Sequence, residues 1–354
     1  MAERLRVAVV GGGEGAVHLD AYNSLPELYE VVALCDIDRD KAQRVADTHG
    51  IPRITTDIAS LCRIDDLDVI DICTPPHLHF AHVQQVLAAG KHAICEKPLV
   101  SSLKEVDELI AAEAQSGRRV MPIFQYRFGH GLQKLKLLIE SGLAGLPYLS
   151  TVETAWRRRA EYYAVPWRGK WSTALGGVLL GHAIHAHDML SDVIGPAKRV
   201  FARTTTRVNP IEVEDCASVT LEMVDGSLAS LSATLGSAAE ITRHRFCFSG
   251  LVAESNTRPY SNSGDPWVFT SDTPELEQQI AAQLARFEPR PEGFAGQFYR
   301  FYGALQTGAD LPVTLADARA SLELITAMYA SAQTGANVDL PIGADHPNYA
   351  SWRP

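Results

Sequence analysis

Apolar and polar positions follow two different rhythms along this 354-residue chain. In the first part, short and almost wholly apolar runs are separated by stretches with helical spacing. The runs "LRVAVV" (5–10), "VVALCD" (31–36), "DVIDIC" (68–73), "HAICE" (92–96) and "RVMPIF" (119–124) read as strands. Residues 38–48, 77–89 and 102–116 read as helices, the last with Ser101 or Ser102 as N-cap. Strands without a polar face, alternating with helices, imply a parallel sheet covered on both sides, the doubly wound α/β arrangement.

After residue 125 the rhythm changes. A helix over 130–141 ends at Ser141-Gly142, and β-like segments follow: "LPYLSTVETAW", "AKRVFARTT", "DCASVTLEMV", "SLASLSATL" and "RHRFCFSG". Asp225-Gly226 between two of them is a hairpin signal. The pattern predicts a second α/β domain with a large, mostly antiparallel open sheet, closed by helices at 293–306 and 315–333. The expected division is 1–125, 126–340 and a C-terminal tail at 341–354.

Composition narrows the function. A formal net charge of −10 argues against nucleic acid, whose phosphates demand clustered Lys and Arg. No apolar stretch approaches the ~20 residues of a membrane span, and no export signal precedes the first strand, so the cytoplasm is the expected compartment. Cysteines at 35, 62, 73, 95, 216 and 247 form no C-x-x-C pair and read as reduced, mostly buried thiols.

"VAVVGGGEGAVH" sets Gly11, Gly13 and Ala16 in a G-x-G-x-x-A frame directly after the first strand, with Glu14 and Gly15 inside it. The first glycine permits the tight turn, the second admits a pyrophosphate, and a small third residue allows close helix packing. Asp36 ends the second strand roughly 20 residues on, where a carboxylate accepts from a ribose 2'-hydroxyl and repels a 2'-phosphate. NAD is therefore the expected cofactor of residues 1–125, with NADP the alternative that Arg39 would admit.

Glu96-Lys97-Pro98 ends a parallel strand, where ligands of such sheets bind, and Lys97 there can direct its ammonium at a substrate oxygen. "GGVLLGHAIHAHDML" (176–190) holds three histidines and an aspartate in seven positions. If the segment is helical, His182, His185 and Asp188 share a face and His187 does not. No metal site is expected: zinc needs three or four convergent ligands, and neither H-E-x-x-H nor a cysteine pair is present. An imidazole, with an ordinary pKa near ~6.5, suits His185 as acceptor of an alcohol proton. The aromatic and basic run "TAWRRRAEYYAVPWRGKWSTALGG" offers Trp156, Tyr163, Trp167 and Trp171 to pack on the C–H faces of a polyol, with Tyr126 and Arg127 of "QYRF" as further candidates. Interface or domain packing is an equal reading of that run.

In this order, "GGGEGA", "CDIDR", "ICTPPHLHFAHVQQVLAAGKHAICEKPL", "QYRF" and "GGVLLGHAIHAHD" resemble the Gfo/Idh/MocA oxidoreductases, which include glucose-fructose oxidoreductase and inositol dehydrogenases. The closing "SLELITAMYASAQTGANVDLP" is similar to that family's last helix and tail. The resemblance implies an N-terminal Rossmann domain and a C-terminal domain whose open sheet makes a homodimer or homotetramer. It implies that Lys97 touches substrate and nicotinamide, that Thr74, Pro75 and His79 line the cofactor beside Glu96, and that His185 accepts the proton. One departure stands out. Relatives acting on inositols or sugars carry an aspartate four residues before that histidine, where this chain has Gly181, and Ala183 replaces a glycine. His182, Asp188 or a loop acid are the candidates to take its place. The expectation is an NAD-dependent dehydrogenase of a sugar, cyclitol or glycoside hydroxyl. The alternatives are a glycoside-cleaving enzyme working by transient oxidation, a sugar sensor without turnover, and an imine or tetrapyrrole reductase.

Overall fold

The computed structural model describes residues 3–353. Six strands, β1 (Leu5–Val10), β2 (Tyr29–Cys35), β3 (Ile54–Thr55), β4 (Val69–Ile72), β5 (His92–Cys95) and β6 (Val120–Pro122), pair in the order β3-β2-β1-β4-β5-β6, all parallel. All of β4 and Val7–Val10 of β1 are buried, which is why they read as unbroken apolar runs. The strand order reverses between β1 and β4, the point at which such sheets open a crevice at their carboxyl ends. β3 and the helix Ile58–Cys62 have no counterpart in the apolar pattern, since elements this short cannot show a period.

Local chemistry sets the helix ends. Asp38 caps Arg39–His49 by accepting from the Lys41 amide at 3.0 Å. Ser102, rather than Ser101, caps Leu103–Ser116 by accepting from the Glu105 amide at 3.2 Å, and the Glu105 carboxylate accepts from the Ser101 amide, one residue before the cap, at 2.7 Å. Gly50 and Gly117 close both helices with positive φ.

A second sheet holds β7 (Pro147–Arg157), β8 (Ala197–Thr205), β9 (Cys216–Met223), β10 (Leu228–Thr234), β11 (Gly236–Phe248), β12 (Val252–Glu254), β13 (Val268–Thr270) and β14 (Val338–Asp339). Their order is β13-β12-β11-β7-β10-β9-β8-β14, antiparallel except for β7 with β10. The expected hairpin is β9–β10: Gly226 takes φ +88° and the Asp225 carboxylate accepts from the Ser227 amide at 2.9 Å. Burial alternates along β10, so one face of this sheet is covered and the other is open.

The chain divides into two compact units, one running through Ile123 and including Phe294–Arg319, the other made of Phe124–Gly293 and the chain from Ala320 onward. The sequence pattern assigned 293–306 to the second domain, whereas this helix belongs to the first. Phe298, fully buried, stacks on Tyr22 at 4.3 Å, its carbonyl accepts from the Tyr29 hydroxyl at 2.7 Å, and Gln297 donates to the Pro122 carbonyl at 2.7 Å. Within the expected tail at 341–354, Trp352 is fully buried and its indole donates to the Leu175 carbonyl at 2.8 Å. Among the described residues no helix is long and apolar enough to cross a membrane, and all six cysteines are free of disulfides.

If Phe298 is integral to the first unit, Phe298→Ala will cost about 3–5 kcal/mol in urea denaturation. A loss below about 1 kcal/mol would show that the returning helix is only loosely attached.

Candidate active site

Gly11 takes φ +99°, and a Cβ there would lie 2.5 Å from the Cys73 carbonyl oxygen, so the turn after β1 admits only glycine. Gly13 is exposed, and a Cβ on it would meet nothing nearer than the Lys41 ammonium at 3.7 Å. At Gly15 a Cβ would come within 2.7 Å of Val9. The close helix–strand contact that the sequence frame gives to Ala16 is therefore made at Gly15, with Ala16 only half-buried beside it. Glu14 stands at the N-cap of Gly15–Asn23, and no side chain caps that helix. An open glycine turn against an uncapped helix N-terminus fits a pyrophosphate.

Asp36 is nearly buried and accepts from the Gly12 amide at 2.8 Å, the Asp38 amide at 2.9 Å and the Lys41 ammonium at 2.9 Å. Burial alone would raise its pKa, but these donors, Lys41 foremost, hold it below the usual carboxylate range. The ionised acid fits a ribose hydroxyl at the end of β2. Its cationic neighbour is Lys41, which the sequence reading did not pick out, rather than Arg39.

Beyond β5, Glu96 Oε2 accepts from the Lys97 amide at 2.9 Å, and Lys97–Pro98 is a cis peptide. Glu96 Oε1 lies 3.1 Å from His18 Nε2, and His18 Nδ1 lies 2.8 Å from Asp71 Oδ2, which also accepts from the Tyr22 hydroxyl at 2.9 Å. His18 and Asp71 are fully buried. Burial would lower the imidazole's pKa, yet Asp71 and the Cys73 side chain carry it well above 6.5, so the ring is an imidazolium held between two carboxylates. None of His18, Tyr22 or Asp71 emerged from the sequence. Asp71 alone carried a signal, an acid inside the apolar run "DVIDIC" that must find a partner.

His18, Asp71 and Cys73 are also the one group of metal-ligand type among the described residues. Their atoms already bond one another, the Cys73 sulfur lying 3.4 Å from His18 Nδ1. Burial and Asp71 push the thiol pKa up, away from the thiolate that a metal needs. His79 is fully buried, with Nδ1 2.8 Å from the Pro98 carbonyl and Nε2 2.7 Å from the Thr74 carbonyl. Burial lowers its pKa, so the neutral ring donates to one of the two carbonyls and packs against the other, between the Thr74-Pro75 turn and the turn after Lys97; Thr74 in turn adjoins Gly11.

In the second unit the histidine segment is not one helix. Val178–His182 forms a π-turn, and an α-helix runs over Ile184–Ile194. The wider turn breaks the face that a continuous helix would give His182 and His185. His185 is buried, stacked on Tyr126 at 4.5 Å and edge-on to Phe124 at 6.2 Å. His182 faces Trp156 at 5.6 Å and Tyr162 at 5.4 Å. Asp188 grips Arg127 through both oxygens, each at 2.7 Å, so Arg127, offered as a substrate contact, anchors this helix. His187 is buried and pushed down to about 3 by burial and nearby His244, which makes it neutral packing. His244 Nδ1 accepts from the Asn262 amide at 2.8 Å, leaving Nε2 to donate to the Ala186 carbonyl at 2.9 Å.

Glu214 enters the same segment from the loop before β9. Its carboxylate accepts from the amides of Gly177 and Leu179, both at 3.0 Å, and from the Tyr329 hydroxyl at 2.9 Å. A Cβ at Gly177 would fall 1.7 Å from the Glu214 carbonyl oxygen, which explains that glycine. Nothing lies within 4 Å of a Cβ built on Gly181.

Of the aromatic residues of 154–177, Trp156 is buried and Tyr162, Tyr163, Trp167 and Trp171 are half-buried. Trp156 is buried in an apolar cluster with Val178, Ala183, Ala233 and Leu235, its indole donating to Thr242 Oγ1 at 2.9 Å, and Tyr163 packs against that cluster. Trp171 donates to the Glu212 carbonyl at 3.0 Å and meets Tyr329 edge-on. Trp167, half-buried, lies under the Arg168 guanidinium at 5.3 Å.

Comparison with known proteins adds to this geometry. Residues 5–124 match the model of the GFO/IDH/MocA oxidoreductase family, NAD-binding Rossmann fold, and residues 132–250 that of the GFO/IDH/MocA C-terminal domain. The uncharacterized oxidoreductase YrbE of Bacillus subtilis is 27% identical over 98% of both chains. D-glucoside 3-dehydrogenase of Escherichia coli is 27% identical over 95% of this chain and 97% of its own. The WlbA dehydrogenase of Bordetella pertussis, solved with NADH and UDP-GlcNAcA, superposes with a TM-score of 0.84 at 26% identity, covering 96% of this chain and all of that one.

Two measurements probe the buried acids. Burial raises Glu214 from 4.5 to about 7. A raised pKa means that its contribution to stability is full below about pH 4.5 and is lost as pH rises through about 7, roughly 3 kcal/mol in all. The melting temperature should therefore fall more steeply between about pH 5 and pH 8 in the wild type than in Glu214→Gln. Parallel curves would mean that the carboxyl is already ionised at the acid end. Replacing His18 with Leu strands two buried carboxylates and should cost about 3–5 kcal/mol; a cost under about 1 kcal/mol would refute the bridged imidazolium.

Proposed function

The chain belongs to the GFO/IDH/MocA family of NAD(P)-dependent dehydrogenases, and from that premise we propose that it oxidises a secondary hydroxyl of a sugar, cyclitol or glycoside with NAD. The observation that carries this reading is the Glu96-Lys97 turn. It lies at the carboxyl end of a strand next to the sheet's reversal point, its lysine amide held by a buried acid. D-glucoside 3-dehydrogenase and the myo-inositol 2-dehydrogenase of Thermotoga maritima, among the relatives, support the substrate class.

Each residue is assigned work its surroundings suit. Gly11, Gly13 and the first turn of Gly15–Asn23 receive the pyrophosphate, and Asp36 the adenosine ribose, which favours NAD over NADP. Thr74, Pro75 and His79 shape the wall beside that turn. Bound NAD supplies the acceptor for the hydride of the carbinol carbon. The hydroxyl proton departs at the same time, and the His185 imidazole takes it, its ring plane set by Tyr126. The Lys97 ammonium stabilises negative charge developing on the same oxygen. Leu149, Phe201 and Leu228 are exposed apolar side chains on the open face of β7, β8 and β10, which supports assembly of copies of this chain through the open sheet.

With NAD and a panel of inositols, aldoses and glycosides, the purified protein should form NADH. Lys97→Ala and His185→Asn should each lower kcat/KM by about a hundredfold or more while NAD affinity stays within about tenfold. Loss of NAD binding in step with turnover would make either residue structural instead.

A further inference from the structure

The segment following β7 sorts its side chains in a way its composition does not reveal. Trp156 is buried, Tyr163 packs against its cluster and the Trp171 indole is spent on the Glu212 carbonyl, while four arginines of the run share one hollow. Arg157, Arg158, Arg159 and Arg168, with Glu161 and Tyr162, line an open hollow of about 570 Å³ within the second unit. Arg158 is fixed by Glu240 at 2.9 Å and the Tyr260 hydroxyl at 2.9 Å. Arg168 lies flat on Tyr162, its Cζ 3.9 Å from the ring centroid, one Nη donating to the Tyr162 carbonyl at 3.2 Å.

Charge in this hollow is not balanced. Glu161 lines it and Glu240 is bonded to Arg158, which leaves four guanidinium groups facing two carboxylates. Among the described residues Arg157, Arg159 and Arg168 have no carboxylate in ion-pair range, although the chain as a whole is acidic by ten charges. Among the described residues the buried Nε of Arg168 has no hydrogen-bond partner. Like charges gathered without counterions repel, and stacked guanidiniums keep their planar forks oriented for an oxyanion.

The hollow also has an address. The ring of Tyr162, part of its lining, is 5.4 Å from His182, three residues before His185. Trp156, beneath Arg158 at 5.1 Å, is the other ring against His182.

We propose that these arginines form a subsite for an oxyanion, a carboxylate or phosphate ester, carried by the substrate, so that the preferred substrate is an acidic sugar derivative rather than a neutral polyol. This rests on the dehydrogenase reading and narrows its substrate class.

The test uses the full chain saturated with NAD, so that the cofactor's own phosphate site is filled. Malonate and pyrophosphate, titrated by calorimetry, report carboxylate and phosphate separately. Binding of either that weakens with added KCl, and by about tenfold in Arg159→Ala and in Arg168→Gln, is the expected result. Arg159 is exposed, so its variant tests the site even if Arg168→Gln disturbs Tyr162. No binding of either anion, or binding indifferent to both replacements, overturns the proposal. In turnover, D-glucuronate or D-glucose 6-phosphate should exceed D-glucose in kcat/KM by about tenfold or more, with the ratio falling toward one in Arg159→Ala. Neutral sugars oxidised as well as their acidic derivatives would sink the subsite and leave the dehydrogenase reading intact. Anion binding at the arginines without oxidation of any sugar would remove the dehydrogenase reading, and the substrate assignment with it.

Discussion

A carboxylate in the middle of a strand buried on both faces has to be neutralised where it stands, and Asp71 of β4 imposes that condition on the first unit. Its partners are Tyr22 and His18, both on the helix that begins at the glycine turn. The far side of the His18 ring reaches Glu96, whose other oxygen holds the Lys97 amide. One imidazolium therefore ties the turn that would receive a pyrophosphate to the turn that presents the lysine. Breaking such a buried pair costs several kcal/mol, against less than about 1 kcal/mol for an exposed pair such as Arg4–Glu30. The cofactor turn and the lysine turn are thus joined through buried charged side chains, not by loop packing alone.

The second unit uses the same device with different residues. Its histidine segment opens with the π-turn at Val178, whose first amides have no partner within the turn, so those of Gly177 and Leu179 would be left unpaired were Glu214 absent. Arg127 grips Asp188 one turn past His185, and His244 fixes the Ala186 carbonyl between them. His185 is thereby placed by four surrounding attachments, none of which touches its ring. Tyr126 and Phe124 meet the ring itself, through flat and edge contacts that set the plane of the imidazole.

What could be read from the sequence is what depends on neighbours in the chain. The strand order follows from apolar runs alternating with helices, the nucleotide turn from glycines at fixed spacing, and the β9–β10 hairpin from Asp225-Gly226. What could not be read depends on pairs far apart: Asp71 lies 53 residues from His18, and Glu96 lies 78 away. Helical spacing grouped His182 with His185, and the π-turn undoes that grouping because it adds a residue to one turn. Arg127 illustrates a further limit. A cation near a site and a cation locking a helix have the same one-letter code, and only the Asp188 contact tells them apart.

The aromatic and basic run after β7 poses the same difficulty in reverse. Trp, Tyr and Arg together suit a polyol pocket and a packed interface equally well, and the structure divides the run between core and surface. The indoles of Trp156 and Trp171 spend their single donors on Thr242 and on the Glu212 carbonyl, so neither is left to a sugar hydroxyl. Gly181 belongs to the same question. A Cβ there meets no atom within 4 Å, so steric crowding does not exclude the aspartate that its sugar-oxidising relatives are expected to carry. A carboxylate at that point would stand one residue from His182, whose ring faces the arginine-flanked Tyr162. For a substrate that brings its own negative charge to this side of the unit, a second fixed carboxylate would be repulsive, and glycine is the residue that removes it at no steric cost.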